Sequence, residues 1–355
     1  MAKINFEEVL AEKRKVVWQE VQKYLQRPTL AGNLAIPQKY KSVEAFHWQL
    51  MSEYPRRLGK YLRPALVLLT AEAMGVPEKK AIRTAAAMQT SEDWILIHDD
   101  FEDGSLMRRG KPALHHLYGP ELAVNASDGL QVIMWKMLWD NCQVLGEEKA
   151  ARIAEEFYQM LTRTVLGQTV EIKWTQENNR NLTDEDVFFI MDGKTVYYSI
   201  AGPMRLGAIL AGASPQQLAT IYEFARPLGR CFQIVDDLLD LTSDFQGLKK
   251  QQGNDIYEGK RTIMLLHLFR TARGNDKKRL VKIMAKTREN KTAAEVKLVI
   301  RLMEKYDSLD YGQKLAAGLA EQALAIFEKK LDFLKKAPAR QQIQAGVDFI
   351  LRRNY

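Results

Sequence analysis

The sequence predicts an all-α protein, and three observations carry that prediction. Glycine and proline are scarce, 21 and 11 residues in a chain of 355, about 9% together against roughly 12% in average usage. Ala, Leu, Lys, Glu and Gln, all good helix formers, are abundant. Apolar residues recur at three- and four-residue steps, and no stretch alternates with the period of two that a half-buried strand needs.

The elements follow in order. Phe6, Val9, Leu10, Val17, Val21, Tyr24 and Leu25 mark one face of an amphipathic helix over residues 5–26, which Pro28 ends. Residues 29–41 read as a loop. From Val43 onward helical patterns succeed one another, broken at Pro55, Gly75-Val76-Pro77, Gly110-Lys111-Pro112, Gly119-Pro120, Gly146 and residues 178–183. Later breaks fall at residues 212–215, residues 243–253 and Gly274-Asn275. No linker composition interrupts the chain. The expectation is an N-terminal helix and loop, residues 1–45, packed on one domain of residues 46–355.

Composition excludes several classes. At 46% the hydrophobic content supports a substantial core. Lys and Arg outnumber Asp and Glu by 52 to 44, a formal charge of +8 that favours anionic ligands or an acidic membrane surface. Nucleic acid is not an expected partner, because the basic residues are scattered and the acidic clusters would repel a phosphate backbone. The basic segment at residues 276–291 reads as a solvated helix face. Two cysteines, Cys142 and Cys231, lack metal-ligand spacing and suggest buried thiols in a reducing compartment. The start, MAKINFEEVLAEKRK, has no apolar signal core, and no apolar run approaches the ~20 residues of a membrane span. A cytoplasmic protein without an integral membrane segment is expected.

Two clusters carry the chemistry, Asp99-Asp100-Phe101-Glu102-Asp103 and Asp236-Asp237-Leu238-Leu239-Asp240. Each reads D-D-x-x-D. Four residues along a helix turn the side chain by only about 40°, so the first and last aspartates share a face one turn apart. Unpaired acids on one face repel each other. A divalent cation removes that cost, oxygen ligands suit Mg2+, and phosphate oxygens commonly complete its shell. The second cluster is framed by Phe232, Ile234, Val235, Leu238 and Leu239, which a merely solvated face would not be. Cations recur nearby: Lys60 and Arg63; Arg108 and Arg109, which Gly110 and Pro112 place at a helix end; Gly193-Lys194-Thr195; Lys249-Lys250; and Glu258-Gly259-Lys260-Arg261-Thr262. Paired arginines beside a metal face can clamp phosphate. Together the cations suggest two anion pockets, one facing metals and one metal-free.

The order G-K-x-x-R-P, D-D-x-x-D, R-R-G-x-P, G-Q, G-K-T, F-Q-x-x-D-D-x-x-D, G-K-x-T resembles the trans-isoprenyl diphosphate synthases, the polyprenyl synthetase family, over roughly residues 50–355. The resemblance implies a single-domain isoprenoid-synthase-type helical bundle around a central cavity, usually as a homodimer. It implies that Asp99, Asp103 and Asp236 bind three Mg2+ bridging an allylic diphosphate. Asp240 would join the metal set directly or through water, and Asp100 and Asp237 would support it. Arg108, Lys194, Thr195, Gln233, Lys250 and Lys260 would hold the allylic diphosphate, with Lys194 and Lys260 counted as catalytic beside the six aspartates. Lys60, Arg63, Arg109 and the position of Glu92 would form the isopentenyl diphosphate pocket, over which Arg353 and the basic C-terminus could close. The implied reaction is head-to-tail condensation of isopentenyl diphosphate with an allylic diphosphate. His98, His115 and His116 read as structural or hydrogen-bonding.

Three positions depart from the family pattern: Glu92 where many members have His or Gln, Ser127 before Asp128 where Gly is usual, and Glu171 after Gly167-Gln168 where Asp is common. Residues four and five before the first motif, Ile95 and Trp94, correspond to the family's prenyl-tail floor, and an indole there should stop elongation early. Met134, Trp135, Met137 and Trp139 on the next helix should add bulk nearby. Geranylgeranyl diphosphate is the favoured product and farnesyl diphosphate the alternative. A class I terpene cyclase would carry a different second motif and no isopentenyl pocket. A non-catalytic subunit tends to lose motif carboxylates, and this chain keeps all six. A basic helical binding protein would show no Mg2+-dependent affinity for diphosphates.

Overall fold

The computed structural model describes residues 4–242 and 252–351. Helices carry nearly all of its regular structure. The chain divides into two compact units: one runs to Glu156 and adds Pro203–Ala213 and Leu334–Ile343, the other holds Phe157–Gly202, Ser214–Phe333 and the residues from Gln344.

In the first unit, helix Phe6–Tyr24 begins where the Asn5 side chain accepts the Glu7 N–H at 3.1 Å. It buries Phe6, Val9, Leu10, Val17 and Val21, the face its spacing selects. Helix Leu62–Ala73 is buried at every position from 64 to 71; apolar all round, it can only be a core helix. Helix Glu78–Glu102 packs on it with Ala81, Ala85, Ala86 and Ala87 buried, small side chains that allow a close approach. Helix Pro120–Asp140 lies against the same long helix and turns Leu130, Ile133, Met134, Met137 and Leu138 inward. Trp135 and Trp139 do not join them. They are 40% and 73% exposed, so of the expected bulk only the two methionines face the core.

The second unit is built on helix Pro215–Thr242, which runs through Pro227 and packs along helix Ser308–Lys330. A proline inside an isolated helix costs about 3 kcal/mol; here buried packing on both sides, including Phe224 against Phe327 with ring centroids 5.5 Å apart, outweighs it. Ile234, Val235, Leu238 and Leu241 meet Ile263, Met264, Val299 and Met303 in one core. Helix Asp184–Met191 starts with a capping box between Thr183 and Asp186, then widens into a π-helical segment, Asp192–Ala201.

Most expected breaks fall between elements. Residues 29–41 instead hold two short 3-10 turns before helix Lys41–Met51, Pro55 sits inside the single turn Glu53–Arg56, and the break expected at Gly274-Asn275 falls at residues 272–273, between helices Ile263–Thr271 and Gly274–Met284. Residues 243–251 of the second expected loop lie outside the described residues. One antiparallel pair, Met107–Arg108 with Lys111–Pro112, was not foreseen; two residues a side are too few for any periodicity. Cys231 is buried, its thiol pushed up to about 11 by burial, whereas Cys142 is only half-buried against expectation. No described helix is long and apolar enough to cross a membrane.

Candidate active site

The first acidic cluster ends helix Glu78–Glu102, with Asp103 as its C-cap. Asp100 points into the protein and is fully buried. Its carboxylate accepts Arg108 Nε at 3.0 and 2.9 Å, a further short bond from Arg108 Nη2, and the Tyr54 hydroxyl at 2.7 Å. Burial alone would lower the Arg108 pKa, but the bonds to Asp100 raise it above the ordinary guanidinium value. Burial, with Asp100 next, raises that of Tyr54. Asp99 and Asp103 stay half-exposed, Asp99 lying 3.8 Å from Arg108.

Arg108 and Arg109 do not sit at a helix end as expected; they belong to the small hairpin. Arg109 and Gly110 occupy its two-residue turn with φ of 52° and 77°, the type I′ combination. A non-glycine residue there is strained by roughly 1–2 kcal/mol. Arg109 is held by bonds from Nη1 to Asp93 Oδ1 at 3.0 Å and to Tyr54 O at 3.2 Å, and by Glu92 3.4 Å from Nη2. Glu92 also lies 3.2 Å from Arg63 Nη1. The turn therefore sends adjacent arginines to different acids: Arg108 to the buried Asp100, Arg109 to the Glu92–Asp93 pair. Burial pushes the Asp93 carboxyl up to about 6 against the pull of Arg109. Lys60, two residues before helix Leu62–Ala73, is exposed.

The second cluster repeats this plan within its own unit. On helix Pro215–Thr242, Asp237 is buried, Asp236 exposed and Asp240 half-buried. Asp237 Oδ1 accepts Gln233 Nε2 at 2.7 Å, and Gln233 Oε1 accepts the Thr195 hydroxyl at 2.6 Å. Burial holds the Asp237 carboxyl well above the usual range, with Gln233 opposing and Asp236 adding to the rise. Both Asp240 oxygens accept backbone N–H groups, from Asn254 at 3.2 Å and Asp255 at 3.1 Å, at the start of helix Asn254–Glu258. Lys260 follows that helix and lies 2.7 Å from Glu258.

Lys194 and Thr195 come from the π-helical segment, whose wider turn often marks functional sites. Gly193 is required there by close approach, since a Cβ would fall 2.9 Å from Arg163 O and from Arg163 Nη1. Lys194 Nζ donates to Gln168 and Glu171, so the Gly-Gln motif and the departure at Glu171 together hold this lysine. Lys250 and Arg353 lie outside the described residues.

Several site residues escaped the sequence reading. Tyr54 and Asp93 anchor the two arginines, and Glu258 pairs with Lys260. Asp255 lines a small crevice with Asp237, Lys260 and Thr262; burial, then Asp240, raises its carboxyl well above the ordinary value. Only Asp93 gave a signal, an acid on the buried face of an apolar helix. The departure at Ser127 has a structural reason: its hydroxyl, fully buried, donates to Trp94 O at 2.7 Å and ties the two long helices together. Trp94 is 6% exposed and meets His98 edge-on at 5.8 Å, while Ile95 is half-buried.

The donor set fits a hard cation. The outward carboxylates offer oxygen alone, and among the described residues no three acidic, histidine or cysteine side chains converge into a ready-made cage. Mg2+ needs none, because it keeps waters and takes one or two carboxylates plus substrate phosphates. Helices presenting such carboxylates beside lysines and arginines define a class of protein that handles diphosphates. The chain belongs to the polyprenyl synthetase family, whose model matches residues 47–303, and by that membership it is a prenyltransferase. It is 32% identical over 297 residues to a short chain isoprenyl diphosphate synthase of Methanothermobacter thermautotrophicus, covering 84% of this chain and 87% of that one. It is 29% identical over 340 residues to a geranylfarnesyl diphosphate synthase of Natronomonas pharaonis, covering 88% and 94%. The crystal structure of a geranylgeranyl pyrophosphate synthetase from Pyrococcus horikoshii superposes with a TM-score of 0.81 at 28% identity, covering 98% and 99%.

Proposed function

We propose that the chain condenses isopentenyl diphosphate head-to-tail with allylic diphosphates to a short-chain all-trans prenyl diphosphate, geranylgeranyl diphosphate before any other. The observation that carries this reading is the common plan of the two acidic helices. In each, the second aspartate, Asp100 or Asp237, is buried and bonded to protein. Asp99, Asp103 and Asp236 are partly or fully exposed, while the half-buried Asp240 also accepts the backbone N–H groups of Asn254 and Asp255. The buried aspartates hold each helix in place, and the carboxylates nearer the surface are the ones assigned to a ligand.

Asp99, Asp103, Asp236 and Asp240 would hold Mg2+, three ions by the family resemblance. Bound there, Mg2+ supplies positive charge to the departing diphosphate. Lys194, Thr195, Gln233, Lys260 and Arg108 hold the allylic diphosphate, with Lys250 in the same set. Lys60, Arg63 and Arg109 hold isopentenyl diphosphate, while Glu92 and Asp93 orient the arginines. As the allylic C–O bond breaks, its electron pair leaves with the diphosphate, and these fixed cations stabilise the growing charge without reorganising. The allylic cation is attacked by the isopentenyl double bond, and the proton lost from the adduct goes to the released diphosphate. Water would quench the allylic cation, so the reaction needs a site that excludes it. The exposed Val132, Trp135 and Trp139 on helix Pro120–Asp140 support a homodimer that covers them.

The test is incubation with Mg2+, isopentenyl diphosphate and each of the C5, C10 and C15 allylic diphosphates, followed by sizing of the products. A discrete product is expected, and loss of most turnover in Asp236→Ala with the fold intact. No condensation with any starter would sink the reading; near wild-type turnover in the variant would sink the metal assignment alone.

A further inference from the structure

Two buried cations that this chemistry does not use flank the Lys260 turn. Arg261 is 4% exposed and Lys291 6%. Arg261 donates from Nε to Asn179 O at 2.6 Å, from Nη2 to Asn178 Oδ1 at 2.8 Å, and from Nη1 to Gly259 O. Lys291 Nζ donates to Tyr257 O at 2.9 Å. None of these partners is an acid, and burying a charge without a counter-charge costs several kcal/mol. Burial, with Arg180 next, pushes Arg261 down to about 10. Burial, with Arg261 and Arg288 next, pushes Lys291 down to about 8. The nearby Glu258 is taken by Lys260 at 2.7 Å and Arg288 at 3.1 Å.

The carbonyls they satisfy are informative. Tyr257 O and Gly259 O lie at the C-terminal end of helix Asn254–Glu258, and residues 178 and 179 follow helix Glu147–Gln176, which carries the Lys194 partners Gln168 and Glu171. Cations favour helix C-termini, so the pair clamps two helix ends together around one turn. That turn is Gly259, with φ of 80°; a Cβ there would lie 3.3 Å from Thr175 Cγ2, 3.7 Å from Lys291 Nζ and 3.8 Å from Arg261 Nη1.

We propose that Arg261 and Lys291 are positioning residues for Lys260: they fix the Gly259 turn and leave an excess of positive charge behind it, raising affinity for the allylic diphosphate. The inference rests on the assignment of Lys260 made above. It is tested by varying each substrate in turn against wild type, Lys291→Met, Lys291→Arg and Lys260→Ala, with thermal melts of all four. Lys291→Met should raise the allylic KM about tenfold, the size of one lost charge-assisted bond. It should leave the isopentenyl KM within about twofold. Its Tm should not fall, because a methionine of similar volume carries no buried charge. Lys291→Arg should recover most of the affinity. An unchanged allylic KM, an equal rise in both KM values, or a lower Tm without a KM change overturns the proposal. If Lys291→Met fails to fold, Gly259→Ala, which displaces the turn with both cations in place, must give the same selective rise; equal KM values overturn it. An allylic KM unmoved in Lys260→Ala refutes the Lys260 assignment itself; one raised there but unmoved in Lys291→Met refutes only the clamp.

Discussion

Two adjacent aspartates of the first cluster should fail in opposite ways when each is changed to alanine. Asp100→Ala removes a carboxylate that receives a guanidinium and a tyrosine hydroxyl in a fully buried place. The Arg108 side chain, 15% exposed, is left without its close partner. Breaking a buried pair from one side costs about 3–5 kcal/mol. Asp99 is 26% exposed and 3.8 Å from Arg108, so its loss costs about 0–1 kcal/mol. With unfolding entropy near 2.1 cal/mol/K per residue, cooperative melting of 355 residues carries about 0.75 kcal/mol/K. Asp100→Ala should therefore lower Tm by about 4–7 °C, and Asp99→Ala by about 1 °C or less. Turnover should show the reverse order: well-folded Asp99→Ala should lose about a hundredfold or more at neutral pH, the size of one deleted group that stabilises transition-state charge. Melting followed by circular dichroism and turnover on the same preparations decide it. Equal Tm shifts in the two variants, or Asp100→Ala melting with wild type, would refute the division of labour.

Asp93 titrates from 3.8 unfolded to about 6 folded, a raised pKa. Its contribution to stability is complete below pH 3.8 and is lost as pH rises through 6, by about 3 kcal/mol at most. Wild type should lose stability relative to Asp93→Asn between pH 4 and 7 in urea melts; a flat or opposite difference would show that burial does not raise the carboxyl. Trp94→Ala should lengthen the product by at least one five-carbon unit while costing about 3–5 kcal/mol of stability as a vacated core site. An unchanged product would make the indole core packing and place the floor elsewhere.

What sequence alone determined is what depends on nearest neighbours along the chain. Apolar spacing selects the buried face of helix Phe6–Tyr24, and an interval of four puts Asp99 with Asp103 and Asp236 with Asp240, because rotation per residue is a local property of the helix. The motif order identified the family for the same reason: it is linear. Tertiary structure decided which acid faces inward and which cation it meets. Tyr54 reaches Asp100 across 46 residues, and Lys194 meets Glu171 across 23; no periodicity encodes such pairings, because they arise only when distant helices pack. Arg108 and Arg109 show the limit most plainly. They are neighbours in sequence, yet a turn with two positive φ values sends one to Asp100 and the other to Asp93. Arginine is an uncommon residue in such a turn, and only the acids gathered around Arg109 by packing make that conformation tolerable.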